Sequence, residues 1–498
     1  MAFTKRKPSP QPNVDLEGFT PQFWLLLAAT GIGTGLCAGL LMKVLRLAEN
    51  FAWGYPAADF LEKVSHASGQ HRVLTLTCAG LLTGAVLWAL PKVNKKQGGD
   101  ISTSLWFHSG EFPAFRTTIR AFLSVVIVGM GVSLGREEAP RQMGALIASK
   151  LGWWRRVTPF QRRFLAACGA GAGLASVYNV PLGGAVFVLE VLLGSVSLSL
   201  VLPVFACCLI ATAVAWPLLP SVAIYVIPAY KLSPRELIWA AISGPILGLG
   251  AVLYMRAIVW AHKRRPKGWL VLPVSLLVCA LLGALSIYYP QLLGNGRNIV
   301  QQAFDDQVTL SLLCALLVLK PLATAACVGT GAPGGLFTPT MTCGALLGGL
   351  LGRIWSLFWP GLDPGSTALI GACAVLAAST QGPISAVVLL LELTHHIDTQ
   401  VVPLLLAVTG AILVSRRLDS RSVYSGRIYL DETEESILVI SAATPYTGVL
   451  ERLLALDKEA VLSVIDEQGK VIGEITRGAI SAPQRLGSAF ETLKAGDM

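Results

Sequence analysis

Apolar runs long enough to cross a bilayer recur along this chain, at 23–47, 72–91, 117–134, 197–218, 237–260, 269–289, 308–328 and 401–414. A hydrocarbon core about 30 Å thick takes roughly 20 apolar helical residues to span. Runs of this length satisfy their backbone polar groups as helices, so the chain reads as an all-α polytopic membrane protein. Only 14% of its residues are charged, where a soluble domain carries about 25%, and 50 of the 498 are glycine. Small residues let helices approach closely in lipid.

The net charge is +10, and the basic residues gather in short links between apolar runs: "RRVTPFQRR" at 155–163, "KRRPKG" at 263–268 and "SRRLDSRS" at 415–422. Positive-inside asymmetry accounts for them and places those links in the cytoplasm. Nucleic acid is therefore not an expected partner; membrane lipid is. Residues 1–22, with "TKRKPSPQ", read as a cytoplasmic tail before a retained helix rather than a cleaved signal. The ten cysteines lie in apolar surroundings without C-x-x-C spacing, so neither disulfides nor a metal site is expected.

Composition changes near residue 431, where charged residues become frequent. "VLSVIDEQGKVIGEIT" reads as a hairpin across "EQGK", and "YTGVLERLLAL" before it as a short amphipathic helix. A small cytoplasmic α/β module at 431–498 is expected to follow a membrane domain at 23–430. That domain repeats itself. "MGALIASKLGW" at 143–153 resembles "CGALLGGLLGR" at 343–353, and "YNVPLGGAVFVLE" at 178–190 resembles "TQGPISAVVLLLE" at 380–392, with Pro and Glu equally spaced in both. Repeats of about 23–218 and 235–430 follow, a pattern of transporters whose site lies where the halves meet.

Segments 98–106, 135–153, 334–353 and 376–392 are interrupted by Gly or Pro and too short to span. Broken helices are tolerated at depth where they line a cavity, and their N-termini offer unpaired N–H groups and a positive dipole end to an anion. Pro140 and Pro339 suit the first turn of such helices. Few acids interrupt these parts: Glu137, Glu138, Glu190 and Glu392. Each is a functional candidate, because an ionisable group is costly at that depth.

In the order of their occurrence, "GGDIS" (98–102), "GREEAP" (135–140), "YNVPLGGAVFVLEV" (178–191), "GGLFTP" (334–339) and "SVYSGRI" (422–428) resemble the motifs of the CLC family of chloride channels and proton-coupled chloride antiporters. The resemblance implies a homodimer in a cell membrane, each subunit with its own anion pathway and both termini cytoplasmic. It implies that Gly99, Asp100, Ile101, Leu336 and Phe337 offer backbone N–H groups, and Tyr424 its hydroxyl, to a dehydrated anion. Glu137 takes the place of the gating glutamate. Ionised, it occupies an anion position; protonated, it swings away, coupling protons to small inorganic anions.

The chain departs from the family pattern in three places. Gly99 replaces a serine, which removes a hydroxyl from the central anion. Glu138 replaces a glycine after the gate; it either repels anions and hinders ionisation of its neighbour, or turns toward Arg136 or Arg120. Val191 stands where antiporter prototypes carry an inner proton-accepting glutamate, and Glu190 and Glu392 then read as helix-end residues. The expected function is transport of chloride or a similar monovalent anion with proton coupling through Glu137. A passive channel is the first alternative, and a transport-inactive sensor acting through the tail the second. The tail resembles one CBS motif, a resemblance that makes an adenine nucleotide the one candidate ligand there; no other cofactor is expected, nor an enzyme. "GTGAPG" (329–334) imitates a dinucleotide loop but follows an apolar helical run, and the spacing of Glu392 and His395 is not repeated at Glu190, so no metal site is read there.

Overall fold

The computed structural model describes residues 19–55, 59–93, 101–107, 110–194, 197–230, 232–395 and 400–418, with strands at 439–441, 461–465 and 471–476. The chain divides into two compact units, Met1–Gly426 and Arg427–Met498. The first is helical: α1 (Pro21–Trp53), α2 (Phe60–His66), α3 (Gly69–Val93), α4 (Ile101–Phe107), α5 (Ala114–Gly129), α6 (Glu138–Trp154), α7 (Pro159–Tyr178), α8 (Pro181–Phe187), α9 (Leu198–Ala215), α10 (Pro234–Lys263), α11 (Val271–Leu285), α12 (Arg297–Phe304), α13 (Leu310–Gly329), α14 (Phe337–Ser356), α15 (Pro364–Thr380), α16 (Pro383–Thr394) and α17 (Val401–Arg417). A π-helical turn, Val188–Leu192, continues α8.

Six of the described helices are long and apolar enough to cross a membrane, counting α11 with the turn before it. Their outward faces carry bare apolar side chains such as Leu74, Leu202, Leu253 and Leu277. Water does not favour such a surface and lipid does.

The halves share their start and stop signals. Thr20 caps α1 and Ser233 caps α10, each followed by Pro at the first helical position. Thr158 caps α7 and Asp363 caps α15, again before Pro. Both of these helices end on a left-handed residue, Asn179 and Gln381. Helix α6 packs on α7 as α14 packs on α15. A Cβ on Gly144 would strike the Gly169 carbonyl, and one on Gly344 the Gly371 carbonyl. Glycine is required at both crossings.

Helices α7 and α15 were not among the apolar runs of spanning length, and the stretch 376–392 is not one broken helix. It is the end of α15 followed, across Gln381 and Gly382, by α16. Both missed helices are rich in Gly and Ala, which add little hydropathy but allow close burial. The link 415–422 is also shorter than expected, since Ser415 is buried within α17.

In the second unit β1 (Val439–Ser441) runs parallel to β2 (Val461–Ile465), and β2 pairs antiparallel with β3 (Val471–Thr476). The β2–β3 pair is the expected hairpin. The amphipathic helix expected before it, and most of the CBS-like motif, lie outside the described residues.

Candidate functional site

After α5 and after α13 the chain turns through a glycine with positive φ, Gly131 (104°) and Gly331 (86°). The two loops then meet. Gly135 N–H donates to the Gly335 carbonyl (2.7 Å) and Gly335 N–H to the Gly135 carbonyl (2.8 Å). From this bridge α6 and α14 set off, with Pro140 and Pro339 in their first turns. Neither N-cap residue, Glu137 or Leu336, caps its own helix with its side chain.

Glu137 is fully buried. Its Oε1 accepts the Phe337 N–H at the start of α14 (2.8 Å), and its Oε2 accepts the Tyr178 hydroxyl (3.0 Å). Tyr178 Oη is also 2.7 Å from Thr338 Oγ1. The phenol has one proton; with that proton on Glu137, Thr338 donates to Tyr178. The ring of Tyr178 lies 5.5 Å from that of Phe337, and the Arg136 guanidinium 5.4 Å from its centroid. A Cβ on Gly135 or Gly335 would collide with the Glu137 carboxylate. The glycine bridge thus makes the room that the carboxylate fills.

Leu336 and Phe337 are buried beside Glu137, and Ile101 is buried at the first position of α4. Gly99, Asp100 and Tyr424 lie outside the described residues. Tyr178 and Thr338 were not singled out from sequence; the pairing runs over 41 and 160 positions, and nothing local announces it.

Glu138 turns toward neither Arg136 nor Arg120. Its Oε1 accepts from Gln142 Nε2 (2.9 Å), and its Oε2 lies 3.6 Å from Arg141 Nη1. All three are buried in the first two turns of α6, and the Arg141 guanidinium sits 4.9 Å from the Phe187 ring centroid. The partners are the residues three and four positions on, where a helix brings side chains together.

Glu190 and Glu392 are helix-end residues with an exchange of duties. Glu392, at the end of α16, accepts the N–H groups of Leu182 (3.1 Å) and Gly183 (2.6 Å) at the start of α8. Glu190, after α8, accepts those of Ile384 (3.1 Å) and Ser385 (2.7 Å) at the start of α16. Each helix therefore caps the other through a carboxylate on the favourable end of the dipole. Val191 packs on Gly382, the N-cap position of α16.

Of these intramembrane helix starts, α8 and α16 are satisfied by fixed acids of the opposite half. The first N–H of α14 is taken by Glu137, a side chain on a loop. An anion and this carboxylate have the same chemistry toward that N–H, so one excludes the other.

The sequence profile of the voltage gated chloride channel family matches residues 95–416. The voltage-gated ClC-type chloride channel ClcB of Salmonella typhimurium is 32% identical over 416 residues, which cover 81% of this chain and 98% of the relative. A putative chloride channel protein ClcB-like from Ralstonia nicotianae is 32% identical over 389 residues, 75% of this chain and 89% of the relative. Among solved structures, a slow cyanobacterial Cl⁻/H⁺ antiporter superposes with a TM-score of 0.73 at 22% identity, covering 82% of this chain and 98% of the other. A CLC-type fluoride/proton antiporter gives 0.66 at 21% identity, covering 83% and 98%. With broken helices meeting at a glycine bridge, a buried carboxylate on a helix start, and a matching profile, the chain belongs to the CLC family of voltage gated chloride channels.

Proposed function

We propose that the protein carries chloride or a similar monovalent anion across a membrane in exchange for protons, with Glu137 as the gate. The observation that carries this reading is the seat of the Glu137 carboxylate on the Phe337 N–H. Ionised, the carboxylate holds the helix start of α14 against an anion. Protonated, it no longer competes as a charge, and the anion takes its place. The hydroxyl relay suits such a change. With Glu137 ionised, Thr338 donates to Tyr178 and Tyr178 to Glu137; with Glu137 protonated, the Tyr178 oxygen can accept and its proton turn to Thr338. Proton uptake and anion occupancy are then two outcomes of one side chain's position.

A homodimer, a cell-membrane location and cytoplasmic termini form part of the same proposal. The four arginines of "RRVTPFQRR" at 155–163 support that orientation. A passive channel is the second reading. Val191 offers no proton acceptor, and Glu190 is committed to the start of α16.

Proteoliposomes under a chloride gradient separate the two, with anion efflux and external pH followed together. Uphill proton movement identifies exchange; efflux without it identifies a channel. Glu137→Gln, which mimics the protonated gate, abolishes proton movement and leaves anion flux insensitive to pH. Undiminished coupling in that variant would remove Glu137 from the mechanism.

A further inference from the structure

Phe19 and Phe23 at the start of α1 stack on Phe164 of α7, beside the basic link 155–163. Helix α1 has 33 residues, about 50 Å at 1.5 Å per residue, so its C-terminal end reaches the opposite face. There a cavity of about 490 Å³ opens, bounded by Arg46 and Glu49 of α1, Asp59 and Lys63 at α2, Arg136 before the gate, and Arg297 at the start of α12. Four cations thus face two carboxylates.

Both carboxylates have partners of their own. Glu49 lies 3.6 Å from Lys63, which also donates to Asn50 Oδ1 (2.7 Å). Asp59 accepts from the Asn298 amide (2.8 Å). Among the described residues, neither Arg136 nor Arg297 forms an ion pair. Arg297 donates to the Ile224 carbonyl (2.9 Å), and the Arg136 Nε is buried without a hydrogen-bond partner. Arg136 and Arg297 are near enough to repel one another; Asp59 attracts Arg297 and Glu49 attracts Arg136 and Arg46 without an ion pair forming, so four cations are still balanced by only two carboxylates. Planar guanidinium forks match the oxygens of a polyatomic anion rather than a spherical halide, and the cavity is far larger than a halide needs.

We propose that this cavity binds a small divalent oxyanion of the sulfate or hydrogen phosphate type between Arg46, Arg136 and Arg297. Its occupancy closes access to Glu137 from that face; this consequence, unlike the binding, rests on the transport reading above.

The test is calorimetric titration of the full chain in detergent with sodium sulfate, in chloride-free isethionate buffer at constant ionic strength. Wild type gives a saturable heat. Arg46→Gln and Arg297→Gln, which lie outside the gate, weaken binding by about tenfold or more, as expected for losing a charge-assisted fork. Arg264→Gln, away from the cavity, does not. The titration is repeated in phosphatidylglycerol nanodiscs to name the source: loss of the sulfate heat there identifies a lipid headgroup phosphate as the occupant, and retention a free ion. In proteoliposomes, sulfate on one side slows chloride flux through the molecules whose cavity faces it, and Arg297→Gln relieves that block when each protein is compared with its own sulfate-free flux. Absence of saturable sulfate binding, equal binding in both variants, or chloride giving the same heat with the same losses would each overturn the proposal. Calorimetry requires no transport, so a failed flux assay leaves the binding result intact, and the reverse.

Discussion

Replacing Tyr178 by Phe removes one oxygen and keeps the ring that packs on Phe337 and under Arg136. It deprives the Glu137 carboxylate of one of the two donors that other residues supply, leaving the Phe337 N–H. A hydrogen bond to a charged group contributes about 1.5–3 kcal/mol. The 3.0 Å separation is long for a hydroxyl on a carboxylate, where about 2.5–2.7 Å is usual, so the low end of that range applies. A loss of about 1.5 kcal/mol shifts the balance between seated carboxylate and bound anion about tenfold. Because the two compete for one place, apparent chloride affinity rises by the same factor. Calorimetric titration with chloride measures this directly, in wild type and in a Glu137→Gln background. The cycle isolates the Tyr178–Glu137 pair: the tenfold gain is expected with Glu137 and vanishes without it. Unchanged affinity in the wild-type background, or an equal gain in both, would show that Tyr178 does not hold the gate.

Removing the charge of either crossed cap, by Glu392→Gln or Glu190→Gln, costs about 1–2 kcal/mol of stability each. The two caps tie the same pair of helices, so the double variant loses less than the sum of the two, and a thermal melt of the purified protein in detergent reads this while anion flux at low temperature persists. For the α6 pair, Arg141→Gln leaves Glu138 buried without its cation and destabilises by about 3 kcal/mol. Adding Glu138→Gln restores part of that loss, a non-additivity visible in the same melts; simple addition of the two losses would mean that the pair is not coupled.

The membrane-crossing helices were legible because lipid asks one thing of them, apolar side chains, and α9 answers it along its whole length, α1 over residues 23–42. Helix α7 is enclosed by protein beyond its first turn, and α15 is buried from Gly365 to Thr380. Gly and Ala serve there by being small, which a hydropathy reading cannot register. Glu137 stood out as an acid in apolar surroundings, but its hydroxyl partner sits at the end of a helix whose sequence, "SVYNVP", carries no sign of it. The partners of Glu138 were within reach: Arg141 and Gln142 follow at helical spacing in "EAPRQ", whereas Arg136 and Arg120 were weighed by charge alone. The equal spacing of Pro and Glu in the two halves pointed to a repeat, and Val191 pointed to Glu190 and Glu392 as helix-end residues. That each acid serves the other half's helix follows only from the chains lying side by side in opposite directions.

That exchange constrains biosynthesis. While the ribosome has made only the first half, the start of α8 has no Glu392, and its bare amides sit in or near hydrocarbon. They must wait on water or a chaperone until residues two hundred positions later arrive. A polypeptide cut after α9 is therefore expected to insert but not to settle, and supplying the missing half as a separate chain should rescue it.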